Sequence, residues 1–102
     1  MNKNDEENTI QYKEEISTIK LKDTDEGLQL LLGIDVDHTF YINDLKKNQQ
    51  YKMKINVKDN IENENYYPDL CVSTFENLCI ATSSDYCYHI IDIEYPKRPI
   101  IK

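Results

Sequence analysis

Between Leu28 and Val57, apolar side chains recur at every second position, and few folds can use such a pattern. Leu28, Leu30, Leu32, Ile34 and Val36 share one parity, with Gln29, Gly33, Asp35 and Asp37 between them and Leu31 as the apolar exception. Tyr51, Met53, Ile55 and Val57 repeat the pattern around Lys52, Lys54 and Asn56. Successive side chains of an extended chain point to opposite faces, so strict alternation marks a half-buried strand. Two such strands define a sheet with one apolar face.

The rest of the chain supplies more strands and no long helical period. Residues 1–14 read as a frayed segment with a short strand over Thr9 to Tyr12. From Glu15 to Lys22, Ser17, Ile19 and Leu21 share one parity, and Lys20 and Lys22 the other. This predicts a strand near a sheet edge with its lysines turned outward against unwanted pairing. A turn at Asp23 to Gly27 leads into the long alternating strand. Its hairpin is predicted to have Asp37, His38 and Thr39 as a three-residue loop, with Val36 facing Phe40 and Ile34 facing Ile42. One helical turn is compatible with Asp44 to Gln50. A polar loop runs from Asp59 to Pro68, followed by strands at Leu70 to Phe75, Leu78 to Thr82 and Tyr86 to Ile93. Residues 96–102, with two prolines, form a tail along an edge.

Tyr51 follows Leu45 by six residues and opens a strand, the spacing of a tyrosine corner. Phe40 to Leu45 together with Tyr51 to Ile55 resembles the equivalent part of a fibronectin type III domain. That resemblance implies an antiparallel sandwich in which the Tyr51 hydroxyl bonds back to upstream backbone. Downstream the chain departs from that family: three strands follow where one is expected, and there is no tryptophan. The expected fold is therefore all-β, a compact antiparallel β-sandwich or partly open barrel of six to eight strands, in one domain spanning 1–102. Its predicted core is Leu30, Leu32, Ile34, Val36, Phe40, Ile42, Tyr51, Met53, Ile55, Val57, Ile91 and Ile93.

Charge narrows the function classes. The formal net charge is −7, which opposes direct binding of nucleic acid or anionic lipid, since both rely on Lys and Arg neutralising phosphates. The opening residues, Met1 to Asn8, carry no apolar segment, and no apolar run reaches the ~20 residues of a membrane span. A cytoplasmic protein is expected, in a host cell if virus-encoded. Charge is also unevenly spread. Asp59 to Pro96 holds eight acidic residues, five of the eight tyrosines and no Lys or Arg, whereas Asp44 and Asp59 bracket five lysines.

The last strand focuses this asymmetry. Cys87, His89, Ile91 and Ile93 form its natural core parity, which leaves Tyr86, Tyr88, Ile90, Asp92 and Glu94 as an outward stripe. Tyrosines bury large area at low entropic cost and acids steer basic partners. With Tyr66, Tyr67, Glu62 and Glu64 from the preceding loop, this stripe is the predicted partner-binding surface. The expected function is a non-catalytic, acidic protein-binding module. It would be an inhibitor, or an immunity or counter-defence accessory protein of the phage or viral kind, occupying a basic nucleic-acid-binding site on its partner. Alternatives are a virion or complex subunit that self-associates through a sheet edge, for instance as a homodimer, and a sensor with a small molecule inside the barrel.

Other chemistries lack their residues. Cys71, Cys79 and Cys87 with His89 offer zinc-type donors but no short paired spacing, and buried reduced cysteines pack as hydrophobes. Asp23, Asp25 and Gly27 resemble the start of a calcium loop without its downstream bidentate Glu. Two glycines cannot build a phosphate loop, and His38 and His89 have no nucleophile motif around them. Neither a metal, a cofactor nor a catalytic residue is expected.

Overall fold

The alternating segments form strands in a computed structural model that describes residues 10, 12, 14–23, 27, 29–57 and 66–102. The strands are β1 (Ile16–Asp23), β2 (Gln29–Asp35), β3 (Thr39–Asp44), β4 (Gln49–Lys54), β5 (Leu70–Val72), β6 (Leu78–Thr82), β7 (Tyr88–Asp92) and β8 (Ile100–Ile101). They make two antiparallel sheets, ordered β1-β2-β3-β4 and β5-β6-β7-β8. The fold is all-β and sandwich-like, with no helix among the described residues. Each strand pairs with its sequence neighbour, so both sheets are meanders and not the Greek key that the fibronectin-type resemblance implies. The segment between β3 and β4 is a turn, not a helical one, and the tail contributes β8 beside β7.

The inner faces of both sheets share one core. Leu30, Leu32, Ile34, Phe40, Ile42 and Ile55 come from the first half, and Leu70, Cys79, Ala81, Ile91 and Ile93 from the second. Tyr51 and Met53 pack against this cluster while half-buried, whereas Val36 and Val57, expected within it, do not join it. Cys79 is the buried, reduced cysteine that the sequence reading expects, whereas Leu70 and Ala81 lie outside the predicted core. They lie on short strands where alternation has too few repeats to stand out.

The β2–β3 hairpin departs from its predicted register. Ile34 pairs with Phe40 and Leu32 with Ile42, which makes the loop Val36, Asp37 and His38. Asp35 sets this turn. Its carbonyl accepts from His38 N–H at 3.0 Å, and its Oδ1 accepts from the amides of Asp37 and Thr39, both at 2.9 Å. His38 completes the turn at φ 62°, in the left-handed region. The pairing moves by two positions along one strand, so the apolar parity survives and only Val36 leaves the sheet.

On the outer face of the first sheet, Tyr12 lies over Gly33 and meets Tyr41 edge-on at 4.9 Å. Asn43 Nδ2 donates to the Tyr12 hydroxyl and to the Leu31 carbonyl, at 3.1 and 2.9 Å. This covering explains why Tyr41 and Asn43 are buried on the side that alternation assigns to solvent.

β1 reverses the expected faces. Thr18, Lys20 and Lys22 pair with Ile34, Leu32 and Leu30 and so share the inner side, while Ile19 and Leu21 are 47% and 58% exposed. The cause lies beside β1, where the carbonyls of Pro68 and Ser73, on either side of β5, face its side chains. Ser17 Oγ and Thr18 Oγ1 donate to the Pro68 carbonyl, at 2.5 and 3.1 Å. Lys22, buried and not outward, donates from Nζ to the Ser73 carbonyl at 2.6 Å. Hydrogen bonds from a charged donor contribute roughly 1.5–3 kcal/mol. Lys22→Ala is therefore expected to lower the urea-unfolding free energy by about 1–3 kcal/mol, whereas Lys20→Ala, at an exposed position, should change it by less than about 0.5 kcal/mol.

Candidate binding surface

The second sheet has an inner face committed to the core and an outer face open to solvent. Cross-strand pairing sets Cys71 opposite Ile80, Ile80 opposite Ile90, Leu78 opposite Asp92, Asp92 opposite Ile100 and Thr82 opposite Tyr88. Because paired residues share a face, these side chains make one surface across β5, β6, β7 and β8. Ile80, Ile90, Ile100 and Tyr88 on it are all exposed, Tyr88 at 78%. Asp92 is half-buried there, with Oδ1 accepting from Glu94 N–H at 2.9 Å and Oδ2 3.7 Å from Lys102 Nζ.

The predicted partner-binding residues separate into groups. Tyr66, Tyr86 and Tyr88 come together with Thr82, Ser83 and Cys87 around a depression of about 160 Å³ at one end of the outer face. Tyr86 takes φ 63° in the β6–β7 turn and exposes its ring. Ile90 lies mid-strand, Asp92 ends β7 and exposed Glu94 follows it. Tyr67 is exposed in the approach to β5. Glu62 and Glu64 lie outside the described residues. Ile80 and Ile100 were missed, although their place on this face follows once the pairing partners of Ile90 and Asp92 are known.

Tyr66 has a second task. Its ring stacks on His38, with centroids 5.8 Å apart and planes 6° from parallel, and its hydroxyl donates to Thr82 Oγ1 at 2.8 Å. His38 Nε2 accepts from Ser84 N–H at 3.1 Å, so this nitrogen carries no proton. His38 thereby ties the β2–β3 turn to the β6–β7 turn. It does not pair with Asp37, whose carboxylate meets Lys54 Nζ at 2.8 Å. Burial lowers the His38 pKa from its ordinary value of 6.5, and Lys54 adds to the shift; Asp37, Asp85 and Asp35 oppose it.

Next to it, Ser83 Oγ donates to Asp85 Oδ1 and lies 2.9 Å from His89 Nε2. The single hydroxyl proton goes to the charged acceptor, so the oxygen accepts from His89 Nε2–H. A nucleophilic serine needs its oxygen free toward a substrate. Ser83 is fully buried with that oxygen occupied, and the group instead braces the turn that carries Tyr86.

The remaining candidates are dispersed. Cys79 is buried, with its thiol pushed up to about 12 by burial and by the neighbouring Cys71, while Cys71 is exposed on the opposite face. Among the described residues no cluster of three or more His, Cys, Asp or Glu is arranged to hold a metal. Asp25 of the calcium-like turn lies outside the described residues. Lys52 and Lys54 share the outer side of β4, where Glu14, Asp35 and Asp37 line the same hollow. Tyr51 makes no corner bond, and its hydroxyl donates to the Gln49 side chain. No described helix is long and apolar enough to cross a membrane.

No family model matches the chain, and neither a curated protein nor a solved structure matches it significantly.

Two outcomes follow from this geometry. The folded state holds His38 neutral, while the unfolded chain protonates it below about 6.5. Stability from this site should be complete above pH 6.5 and fall as pH drops toward the lowered folded value. His38→Asn, which tolerates the left-handed backbone, should remove that component from urea midpoints measured between pH 7.5 and 5. In the folded protein a maleimide should label Cys71 readily, and peptide mapping should find Cys79 modified only in denaturant.

Proposed function

We propose that this protein is a non-catalytic acidic binding module that uses the outer face of the second sheet to hold a protein with a basic surface. The observation that carries the reading is the exposure of Tyr88, Ile80, Ile90 and Ile100 on one continuous sheet face. Large contiguous patches of exposed apolar surface on a folded protein mark interaction sites. Asp92 and Glu94 lie at one end of the face and Asp85 and Tyr86 at the other, in a chain of net charge −7. Interface centres favour aromatic anchors, and complementary charge speeds the encounter and selects the partner. Occupation of a basic, phosphate-binding groove, as by an inhibitor or counter-defence protein acting in the cytoplasm, fits this combination.

A second reading is self-association. β8 is the last strand of its sheet and only two residues long, with Ile100 and Ile101 at 57% and 40% exposure. An open strand edge is a template for pairing with another copy.

Affinity capture at low and high salt separates the two. Tyr88→Ala combined with Glu94→Lys changes only exposed side chains and should leave the melting temperature intact. A basic partner retained by wild type at low salt should be lost by the variant at least tenfold, in keeping with the energies of interface anchors. Equal capture by both would reject the outer face, and a salt-insensitive dimer in sedimentation would favour the β8 edge.

A further inference from the structure

The cationic side chains that the acidic sheet lacks gather at a different place, where two turns from opposite sheets meet. The β3–β4 hairpin contributes Asp44 at the end of β3, Lys47 in the turn and Tyr51 in β4, and the β7–β8 connection contributes Tyr95, Pro96, Lys97 and Arg98, around a cleft of about 260 Å³. Three cations face one carboxylate there, in a chain whose net charge is −7. The ion pairs among the described residues are Lys54–Asp37 and Lys102–Asp92, so no described carboxylate lies at ion-pair distance from Lys47, Lys97 or Arg98.

Both lips are held by backbone hydrogen bonds. Asp44 Oδ1 accepts from the amides of Lys46 and Lys47, each at 3.1 Å, which tethers that carboxylate and shapes the first turn. Arg98 N–H donates to the Tyr95 carbonyl at 2.8 Å, closing a four-residue turn with Pro96 at its second position, where the ring presets the backbone. The flat faces needed for stacking and the cations needed for an anion are thus presented on preorganised backbone, which reduces the ordering cost of binding.

We infer that this cleft binds a small phosphate ester bearing a flat ring, the chemical class of a nucleoside monophosphate. Arg98 and Lys97, with Lys47 across the cleft, take the phosphate, since a guanidinium fork and ammonium groups match its oxygens. Tyr51 and Tyr95 supply ring faces for the base; base–aromatic stacking is sequence-tolerant and adds favourable energy wherever a ring is offered. Pockets for drug-sized ligands run from roughly 300 Å³ upward. A cleft of about 260 Å³ is of the size for one ring and one phosphate. The site is separate from the Tyr88 face and does not rest on the protein-binding reading.

Adenosine monophosphate is the probe, titrated against the full chain by calorimetry and by amide chemical shifts. Binding should be saturable, with shifts confined to residues 44–51 and 95–98. Adenosine, ribose 5-phosphate and inorganic phosphate should each bind at least tenfold more weakly. Lys97→Gln with Arg98→Gln, and separately Tyr95→Ala, should each weaken the nucleotide tenfold or more, whereas Tyr88→Ala should leave it unchanged. All of these positions are exposed, and the shift map on wild type stands whether or not a variant folds well. The inference is overturned by absence of saturable binding, by shifts on another face, by an equal response to inorganic phosphate, or by affinity that survives both cleft variants.

Discussion

Two four-stranded meanders have four open edges between them, and every buried backbone carbonyl on those edges needs a donor. The fold depends on how two of these edges are joined without backbone pairing. Along β1 and β5, side chains do the work: Ser17 and Thr18 serve the Pro68 carbonyl, and Lys22 spans to Ser73. At the hairpin end the join is made by Ser84 N–H to His38 Nε2, with Tyr66 stacked on the imidazole. Among the described residues no buried side-chain nitrogen or oxygen lacks a hydrogen-bond partner. Hydrophobic burial brings the sheets together without direction, whereas these directed bonds select one relative placement of the two layers.

That division explains what the amino-acid sequence makes legible. In β2 and β3 the alternation is long and each strand meets apolar neighbours across the sandwich, so Leu30, Leu32, Ile34, Phe40 and Ile42 are readable as core from parity alone. The hairpin register is not readable that way. Two pairings that differ by two positions keep the same parity, and the choice falls to Asp35, which accepts two amides in the turn. Asp is favoured at the first position of such turns, and that preference is the local signal in the sequence. β1 misleads for the opposite reason. Ser17, Thr18 and Lys22 meet the carbonyls of Pro68 and Ser73, which hydroxyls and an ammonium match best. The rule that apolar parity faces inward therefore assigns Ile19 and Leu21 to the wrong side.

The candidate surfaces follow the same logic. Tyr88, Ile90 and Asp92 lie within one strand, so period-two reasoning finds them together, and the remaining rows follow from its neighbours. Tyr66, a partner-binding residue by sequence, divides its role, with one side against His38 and another at the depression shared with Tyr86. The cleft of Tyr51 and Tyr95 leaves no local trace at all. Its residues come from the β3–β4 hairpin and the β7–β8 connection, far apart in the chain, and only the stacking of the sheets brings them side by side.

Charge segregation gives the two surfaces a common cause. A strongly acidic protein gains little by pairing every cation, since exposed ion pairs contribute ~0–1 kcal/mol. Here Lys47 of the β3–β4 turn and Lys97 and Arg98 of the β7–β8 connection are collected at one cleft, while β5, β6 and β7 carry no Lys or Arg. Screening at physiological salt acts over about 8 Å, so the two regions create distinct local potentials in spite of the net charge. β7 joins them physically: Tyr88 and Asp92 sit on its outer face, and the chain that leaves it turns at Tyr95 and Pro96 before pairing back as β8.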